Sequence, residues 1–331
     1  PRAAAAALKP ADHAAILARL ASVLPGLERD RAAHVERIDR VLKRYVSGAA
    51  LAAIVMGWGL AGSFVGGLAL MGIAALSVVI LLLGKAEDGP RMTTRTEILI
   101  AVAGQMSDLI VDPEPDIPRE WFAGLGLLQR VRKVIVDLRL TGQRDGRVVG
   151  VSRIGLMFGT DNRYSEKHDK GLTFVMVQID LPETAARQGV TVVMPADASW
   201  NVKSGPRLSH GLRSVPTGDK SFDALYTVYG DAVPLTPAMR AGFANLEAQA
   251  RSAKHGLAEV APGQGRRPWV AILPGQLVVL TPLSMFDGAF EPPPFWVPLD
   301  PDTLIPAFAA DLAVLDGYLT AALSLPLGDI A

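Results

Sequence analysis

The 331-residue chain contains no cysteine. This absence excludes disulfide bonds, thiolate metal sites and cysteine nucleophiles, and it fits a reducing compartment. Neither sign of charge is in excess, because 33 basic residues balance 33 acidic ones. Residues 1–45 hold nine Lys or Arg against five Asp or Glu, so residues 85–331 are weakly acidic. A weakly acidic domain lacks the concentrated basic face that nucleic-acid binding requires, and we expect no nucleic-acid partner.

The chain also lacks a short apolar segment at its start. Its first apolar run begins about 45 residues in and is far longer than the apolar core of a signal peptide. The sequence therefore predicts no cleavable signal peptide, although residues that precede Pro1 in a longer protein would not be visible in it.

A long uncharged run dominates what is present. Val46–Leu83 contains no charged side chain, with Lys43 and Arg44 before it and Lys85 after it. A bilayer core needs about 20 apolar helical residues, so the run is close to two crossings joined by a tight turn. Its second half is rich in Val, Ile and Leu, whereas Val46–Leu60 is rich in Ala and Gly and would insert weakly alone. The sequence predicts a transmembrane helical hairpin over residues 46–84.

Two topologies follow from this run. If both spans cross, the N-terminal arm and the large domain share one side, and the basic flanks place both in the cytoplasm. If only the second span crosses, the large domain is exported. We favour two spans, because no charge stops the first from entering. The segment from Gly57 to Gly62 also matches a dinucleotide-binding pattern, but no strand precedes it and it lies within the uncharged run.

The N-terminal arm, residues 1–45, has helical periodicity. One helix is expected from Asp12 to Leu24, Pro25 and Gly26 break the pattern, and a second helix follows from about Leu27 to Tyr45. Two interpretations stay open for this arm. It lies on an anionic membrane surface or a partner helix, or it forms a solvated helical hairpin packed on the rest of the protein.

Residues 85–331 are expected to form a soluble α+β domain. Glu87–Pro90 reads as a linker, and Thr94 with Glu97 has the spacing of a capping box that starts a helix extending through Leu109 and Ile110. A hairpin is expected around Asp145 and Gly146, with a connection longer than the tightest type. Runs of strands with helices at the ends predict a largely antiparallel sheet. The expected strands are 134–141, 147–154, 172–179, 190–194, 225–228, 269–273 and 277–281, and the later helices are 237–254 and 301–323.

No residue pattern points to chemistry. The five histidines do not have metal-ligand spacing, and neither a nucleophile elbow nor a phosphate-binding loop is present. The nearest approach to a site is His168, in a polar loop with Asp161, Glu166 and Asp169, which we interpret as a solvated loop. Residues 198–221 form a second loop that carries Lys203, Arg207, Arg213 and Lys220. We therefore predict no catalytic, cofactor-binding or metal-binding residues and no cofactor.

Three groups of segments together resemble a known family. They are IPREWFAGLGLLQ, then the series GLMFGTDNRY, GLTFVMVQID and VTVVMPAD, then SFDALYTVYGDAVPLTPAMRAGFANL. These segments resemble the bacterial domain-of-unknown-function family 3137, in which two membrane spans precede a soluble domain. In that family an aromatic segment leads through a Leu-Thr-Pro into a helix, here Phe222, Val228-Tyr229 and Leu235-Thr236-Pro237. This chain has a shorter run between the Val-Tyr and the Thr-Pro.

The resemblance implies a multi-pass protein of the bacterial inner membrane and carries no known activity, so it transfers no catalytic residue. The sequence as a whole predicts a membrane-anchored interaction or assembly protein, a scaffold or accessory subunit, that is not an enzyme. Its expected partners are the lipid bilayer and another membrane protein or complex, and a homo-oligomer is compatible with the sequence. The alternative is a membrane-tethered hydrolase or a ligand-binding or sensor domain.

Overall fold

A computed structural model describes most of the chain as two compact units. The described residues are 10–60, 77, 88–106, 108–112, 115–125, 131–158, 170–181, 189–196, 212–230, 235–252, 267–283, 290, 292–294 and 296–326. The helical unit comprises Lys9–Gln105 and Phe290–Ala307, and the sheet unit comprises Met106–Ala289 and Phe308–Ala331. The class is α+β with a large antiparallel sheet and an N-terminal helix, which confirms that part of the prediction.

The helical unit begins with one long helix. Helix α1 spans Pro10–Leu60 without interruption, and Pro25 lies inside it. The predicted break at Pro25 and Gly26 is therefore wrong. A proline inside a helix costs about 3 kcal/mol. The physical reason that the helix continues is packing, because Leu20 and Leu27 flank the proline on one helical face and are both buried.

The second helix starts earlier than the sequence indicates. Helix α2 spans Asp88–Met106, so the linker prediction for residues 88–90 is wrong, and so is the capping box, because Thr94 lies inside the helix. Pro90 is tolerated because it lies in the first turn, where a backbone N–H has no helical acceptor to lose. Helix α2 also ends before Leu109 and Ile110, which belong to a strand instead.

A segment distant in sequence completes the helical unit. The buried side chains of this unit come from α1, from α2 and from residues 290–307: Ile16, Leu20, Leu27, Arg95, Ile98, Leu99, Ala101, Val102, Ala103, Phe290, Leu304 and Ile305. Glu28 connects two of these parts, because its carboxylate pairs with Arg31 and accepts a hydrogen bond from the backbone N–H of Leu299 at 3.3 Å. The arginine, and then the backbone N–H, lower the pKa of Glu28.

Among the described residues, the sheet unit contains nine antiparallel strands, three helices and residues 308–323 of a fourth helix, whose first seven residues belong to the helical unit. In chain order the elements are β1 Leu109–Val111, α3 Arg119–Gly124, β2 Val131–Arg144, β3 Arg147–Phe158, β4 Lys170–Asp180, β5 Thr191–Pro195, β6 Ser214–Val215, α4 Lys220–Asp223, β7 Tyr226–Gly230, α5 Pro237–Ser252, β8 Trp269–Leu273, β9 Gln276–Leu283 and α6 Pro301–Leu323. The strand order is β1-β2-β3-β4-β9-β8-β5-β7-β6. Each predicted strand and both predicted late helices are present; β8 and α6 have the predicted bounds, and the bounds of the others are shifted by a few residues.

The longest hairpin, β2–β3, turns more tightly than expected. Arg144 pairs with Arg147, so two residues alone, Asp145 and Gly146, form the connection. Both have positive φ, 53° and 72°, which is the backbone of the turn that matches the twist of a two-residue hairpin. The prediction of a longer connection is therefore wrong, because Arg144 and Arg147 belong to the ladder.

Both faces of the sheet are buried along its centre. One face carries a cluster of apolar side chains from the central strands and from around α3: Ile117, Phe122, Leu125, Ile154, Leu156, Phe174, Met176, Val192, Met194, Trp269, Ala271, Val278 and Leu280. The opposite face includes Val151, Val177 and Val279, which are also buried. Buried side chains of α5 and α6, Phe243 and Leu312 among them, belong to the same unit. An ion pair between Arg144 and Asp316 ties the β2–β3 hairpin to α6.

One described helix is long and apolar enough to cross a membrane, namely α6. More than half of its most apolar stretch is buried within the protein, as expected for a core helix. The predicted first span, Val46–Leu60, is the helical end of α1. The predicted turn and second span lie outside the described residues, apart from Ser77.

Candidate functional site

The candidate site lies within α1, where exposed charged residues directly precede the apolar run that begins at Val46. Helix α1 continues past Lys43 and Arg44 into Val46–Leu60 without a break. Arg37, Arg40, Lys43 and Arg44 are all exposed, and the Tyr45 side chain is 58% exposed. A basic cluster and an aromatic residue thus stand at the boundary between a charged helix and an apolar one, which is the composition of a membrane interface.

Acidic residues neutralise part of this cluster. Lys43 Nζ lies 2.5 Å from the Asp39 carboxylate, and Arg40 Nε lies 3.8 Å from that of Glu36. Both are i,i+4 pairs on an exposed face, and such pairs contribute little to stability. Among the described residues no carboxylate pairs with Arg44. Residues 36–45 therefore carry four basic and two acidic side chains, and the positive charge nearest the apolar run has no acidic partner there.

The segment that carries the family resemblance folds into one aromatic block. Phe222 of α4 stacks on Tyr226 of β7 with ring centroids 5.0 Å apart, and Phe243 of α5 meets both rings edge-on at 5.6 and 5.4 Å. The Thr236 hydroxyl accepts a hydrogen bond from the backbone N–H of Met239 at 3.2 Å and so caps α5. These residues have structural roles, since all three rings are buried and Thr236 caps the start of α5.

Asp219 contacts both α4 and α5 of this block. Its carboxylate accepts hydrogen bonds from the backbone N–H groups of Ser221 and Phe222 at 3.0 and 3.2 Å and thereby caps α4. It also lies 3.3 Å from Arg240 Nε, and Arg240 donates to the Leu235 carbonyl at 2.7 Å. The Ser221 hydroxyl, followed by the backbone N–H groups and Arg240, holds the pKa of Asp219 below its ordinary value of 3.8. Asp219 is therefore a structural carboxylate that stays ionised at neutral pH.

A second candidate lies on the sheet, where three buried polar atoms have no hydrogen-bond partner among the described residues. They are Arg139 Nε, Ser152 Oγ and Gln178 Oε1. Arg139 pairs directly with Ser152, and Gln178 pairs with Gly150, two residues from Ser152 on the same face. Because buried polar atoms are nearly always hydrogen-bonded, this arrangement suits an ordered water or a small polar ligand. No sequence pattern indicates this arrangement, because it depends on which strands pair.

The loop residues singled out in the sequence are mostly outside the described part of the chain. His168, with Asp161, Glu166 and Asp169, lies there, and so do Lys203 and Arg207. Arg213 and Lys220 are described and exposed, and residues 214–215 form the edge strand β6 rather than a loop. Within the described residues no group of three His, Asp or Glu side chains is placed to hold a metal ion. Of the predicted loop residues, the structure therefore describes two, Arg213 and Lys220.

Comparison of the chain with protein-family models, with curated proteins and with solved structures finds no match.

Proposed function

We propose that the protein is a membrane-anchored interaction or assembly protein of the bacterial inner membrane, a scaffold or accessory subunit without catalytic activity. Residues 46–84 form a transmembrane hairpin in this proposal, and the domain that follows is cytoplasmic. The partners are the lipid bilayer and another membrane protein or complex, and a second copy of the chain is a further candidate. The chain is a member of the family 3137 that it resembles.

The observation that carries the proposal is the continuity of α1. A helix that runs from charged residues into Val46–Leu60 without a break suits a segment that enters a bilayer directly from its aqueous side. The exposed Tyr45 and the basic residues before it support the same interpretation, because aromatic and basic side chains concentrate at the membrane interface on the cytoplasmic side. The 23 residues of Ala61–Leu83 carry no charge and lengthen the uncharged run beyond α1, which supports a second crossing.

The second candidate function is a membrane-tethered ligand-binding or sensor domain, with a hydrolase as a further alternative. The buried polar atoms of Arg139, Ser152 and Gln178 favour ligand binding, because a small polar ligand is one source of the hydrogen bonds that such atoms require. Ordered water is another source. We therefore rank this function below the assembly role.

Topology is tested with a reporter fused after Ala331. The native chain should stay in the membrane pellet after alkaline carbonate washing and give a cytoplasmic reporter signal. Replacing Ile54 and Val55 with arginine should stop the first span from inserting and move the reporter to the periplasm, whereas leucine at both positions should leave it in the cytoplasm. A periplasmic reporter on the native chain would overturn the two-span topology.

The assembly role is tested by affinity purification of the full chain from mild detergent, with mass spectrometry of the proteins that accompany it. We expect a defined partner in a fixed ratio, or a stable oligomer of the chain itself. A clean monomer would count against assembly and favour the ligand-binding alternative.

A further inference from the structure

We infer that the part of α1 just before the uncharged run binds the phosphate groups of anionic lipids. The binding residues are a row of three arginines, Arg37, Arg40 and Arg44. This inference rests on the proposed membrane anchoring and names the lipid class that the anchor prefers. The three arginines are spaced at i, i+3 and i+7, so they share one helical face. All three are exposed.

The distance from the apolar run selects which arginines reach the lipid. At 1.5 Å of rise per residue, Arg44 lies about 3 Å, Arg40 about 9 Å and Arg37 about 14 Å before Val46. The headgroup layer of one leaflet is roughly 5–7 Å thick. Arg44 therefore lies within this layer in an upright helix, and Arg40 reaches it through its long side chain. Arg37 lies farther out, where it contributes through its field rather than by contact.

Among the described residues, Glu36 carries the only carboxylate that contacts one of the three arginines, so their guanidinium groups are available to phosphate. Arg44 pairs with no carboxylate among the described residues, and Arg40 has a single exposed contact, at 3.8 Å from Glu36. A guanidinium binds phosphate through two parallel hydrogen bonds. The contact between Arg40 and Glu36 is weaker, because it is single and longer than a hydrogen bond. Lipid phosphate should therefore displace Glu36 from Arg40 at little cost.

Tyr45 fixes the depth at which the row meets the membrane. Its side chain is 58% exposed, and it directly follows Arg44. Tyrosine prefers the headgroup level, where its ring meets the acyl boundary and its hydroxyl meets water. Continuity with the uncharged run selects the bilayer as occupant over an acidic protein, because the same helix carries the row and the apolar segment.

The test measures lipid retained by the full chain, purified in mild nonionic detergent and titrated with phosphatidylglycerol or phosphatidylcholine. Native mass spectrometry counts the lipids bound to each protein. The native chain should retain phosphatidylglycerol in preference to phosphatidylcholine. Arg44→Gln should weaken the phosphatidylglycerol affinity roughly fivefold, the effect expected of one basic residue at a charged membrane surface. Arg44→Lys keeps the charge but not the two parallel hydrogen bonds, so it should lose less affinity than Arg44→Gln without matching the native chain.

Arg29→Gln is the matched control, because Arg29 is also exposed on α1 but lies 15 residues before Arg44. It should leave lipid retention unchanged. Equal retention of the two lipids by the native chain, or equal losses from Arg44→Gln and Arg29→Gln, would overturn the inference while leaving the anchor intact. Release of the native chain from membranes by alkaline carbonate would instead refute the anchor, and the lipid site with it.

Discussion

The central sheet and helix α1 are stabilised in different ways. The sheet buries side chains on both faces, and Trp269 and Phe174 at its centre are fully buried with rings 5.5 Å apart. Helix α1 buries Ile16, Leu20 and Leu27, and no described side chain of α1 after Leu27 is buried. Its exposed side chains after that point carry charges of both signs.

This difference shows that the protein's own packing stabilises the sheet more than it stabilises the later part of α1. The sheet obtains its stability from apolar burial by its own residues. Most helical stability in proteins comes from packing of an apolar face, and none of the described side chains of α1 between residues 28 and 48 is buried. The last turns of α1 contain no charged residue, so a lipid bilayer around them would stabilise them. The sheet is thus expected to be sensitive to core mutations, and α1 to backbone propensity and lipid.

The largest expected effect lies in the sheet, with Trp269→Ala. Removing this fully buried ring leaves a cavity against Phe174 and should lower the free energy of unfolding by about 3–5 kcal/mol. Thermal unfolding of the full chain in mild detergent, followed by far-UV circular dichroism, measures the loss. Trp296→Ala is the matched control, because that ring is 52% exposed, and it should change stability by less than about 0.5 kcal/mol. Equal losses from the two substitutions would contradict the described core.

A smaller effect is expected at the edge of the sheet, with Asp219→Ala. This change removes the cap of α4 and the contact with Arg240, whereas Asp219→Asn keeps a capping oxygen and should cost less. The folded pKa of Asp219 lies below 3.8, so the stabilisation from its charge is complete above that pH and is lost as the pH falls further. Acid titration of stability should therefore be flatter in both variants than in the native protein. A native titration that matches Asp219→Asn would show that the charge does not contribute.

The smallest expected effect is a gain, in α1, from Gly26→Ala. A Cβ at this position meets no atom within 4 Å, and alanine is a better former of a helix interior by about 0.8–1.0 kcal/mol. The unfolding temperature of the helical unit should rise accordingly. Gly146→Ala is the control, because that glycine has equal space but a φ of +72°, so alanine there should destabilise. A loss of stability from Gly26→Ala would favour a helix that breaks at Pro25, as the sequence pattern indicates.

Local pattern was sufficient to predict most elements but not their connections. Strand β8 and helix α6 have the predicted bounds, because a proline or glycine marks their ends and apolar residues recur at the right period. The neighbour relation between β4 and β9 was not predictable, because the two strands pair across about 100 residues and no local signal specifies such pairing. The association of residues 290–307 with the helical unit is non-local in the same way.

The candidate sites were likewise predictable only where they depend on local sequence. The basic residues before Val46 and their place on the polar face of a helix were visible in the sequence, but the continuity of that helix through Pro25 was not. The relation of Asp219 to Arg240 was also invisible, because 21 residues separate two partners that lie 3.3 Å apart. Ser152 and Gln178 are candidate site residues only because their polar atoms are buried away from water, and the sequence does not show this burial.

The sequence by itself determined the absence of thiol chemistry, the uncharged run from Val46 to Leu83 and the α+β class, because composition and periodicity are properties of the local chain. The tertiary structure alone decided that α1 passes through Pro25, because burial of Leu20 and Leu27 outweighs a local proline penalty. It also decided the strand order and the placement of unpartnered polar atoms beside one another on the sheet. Each of these depends on contacts between residues distant in sequence, which local propensity does not encode.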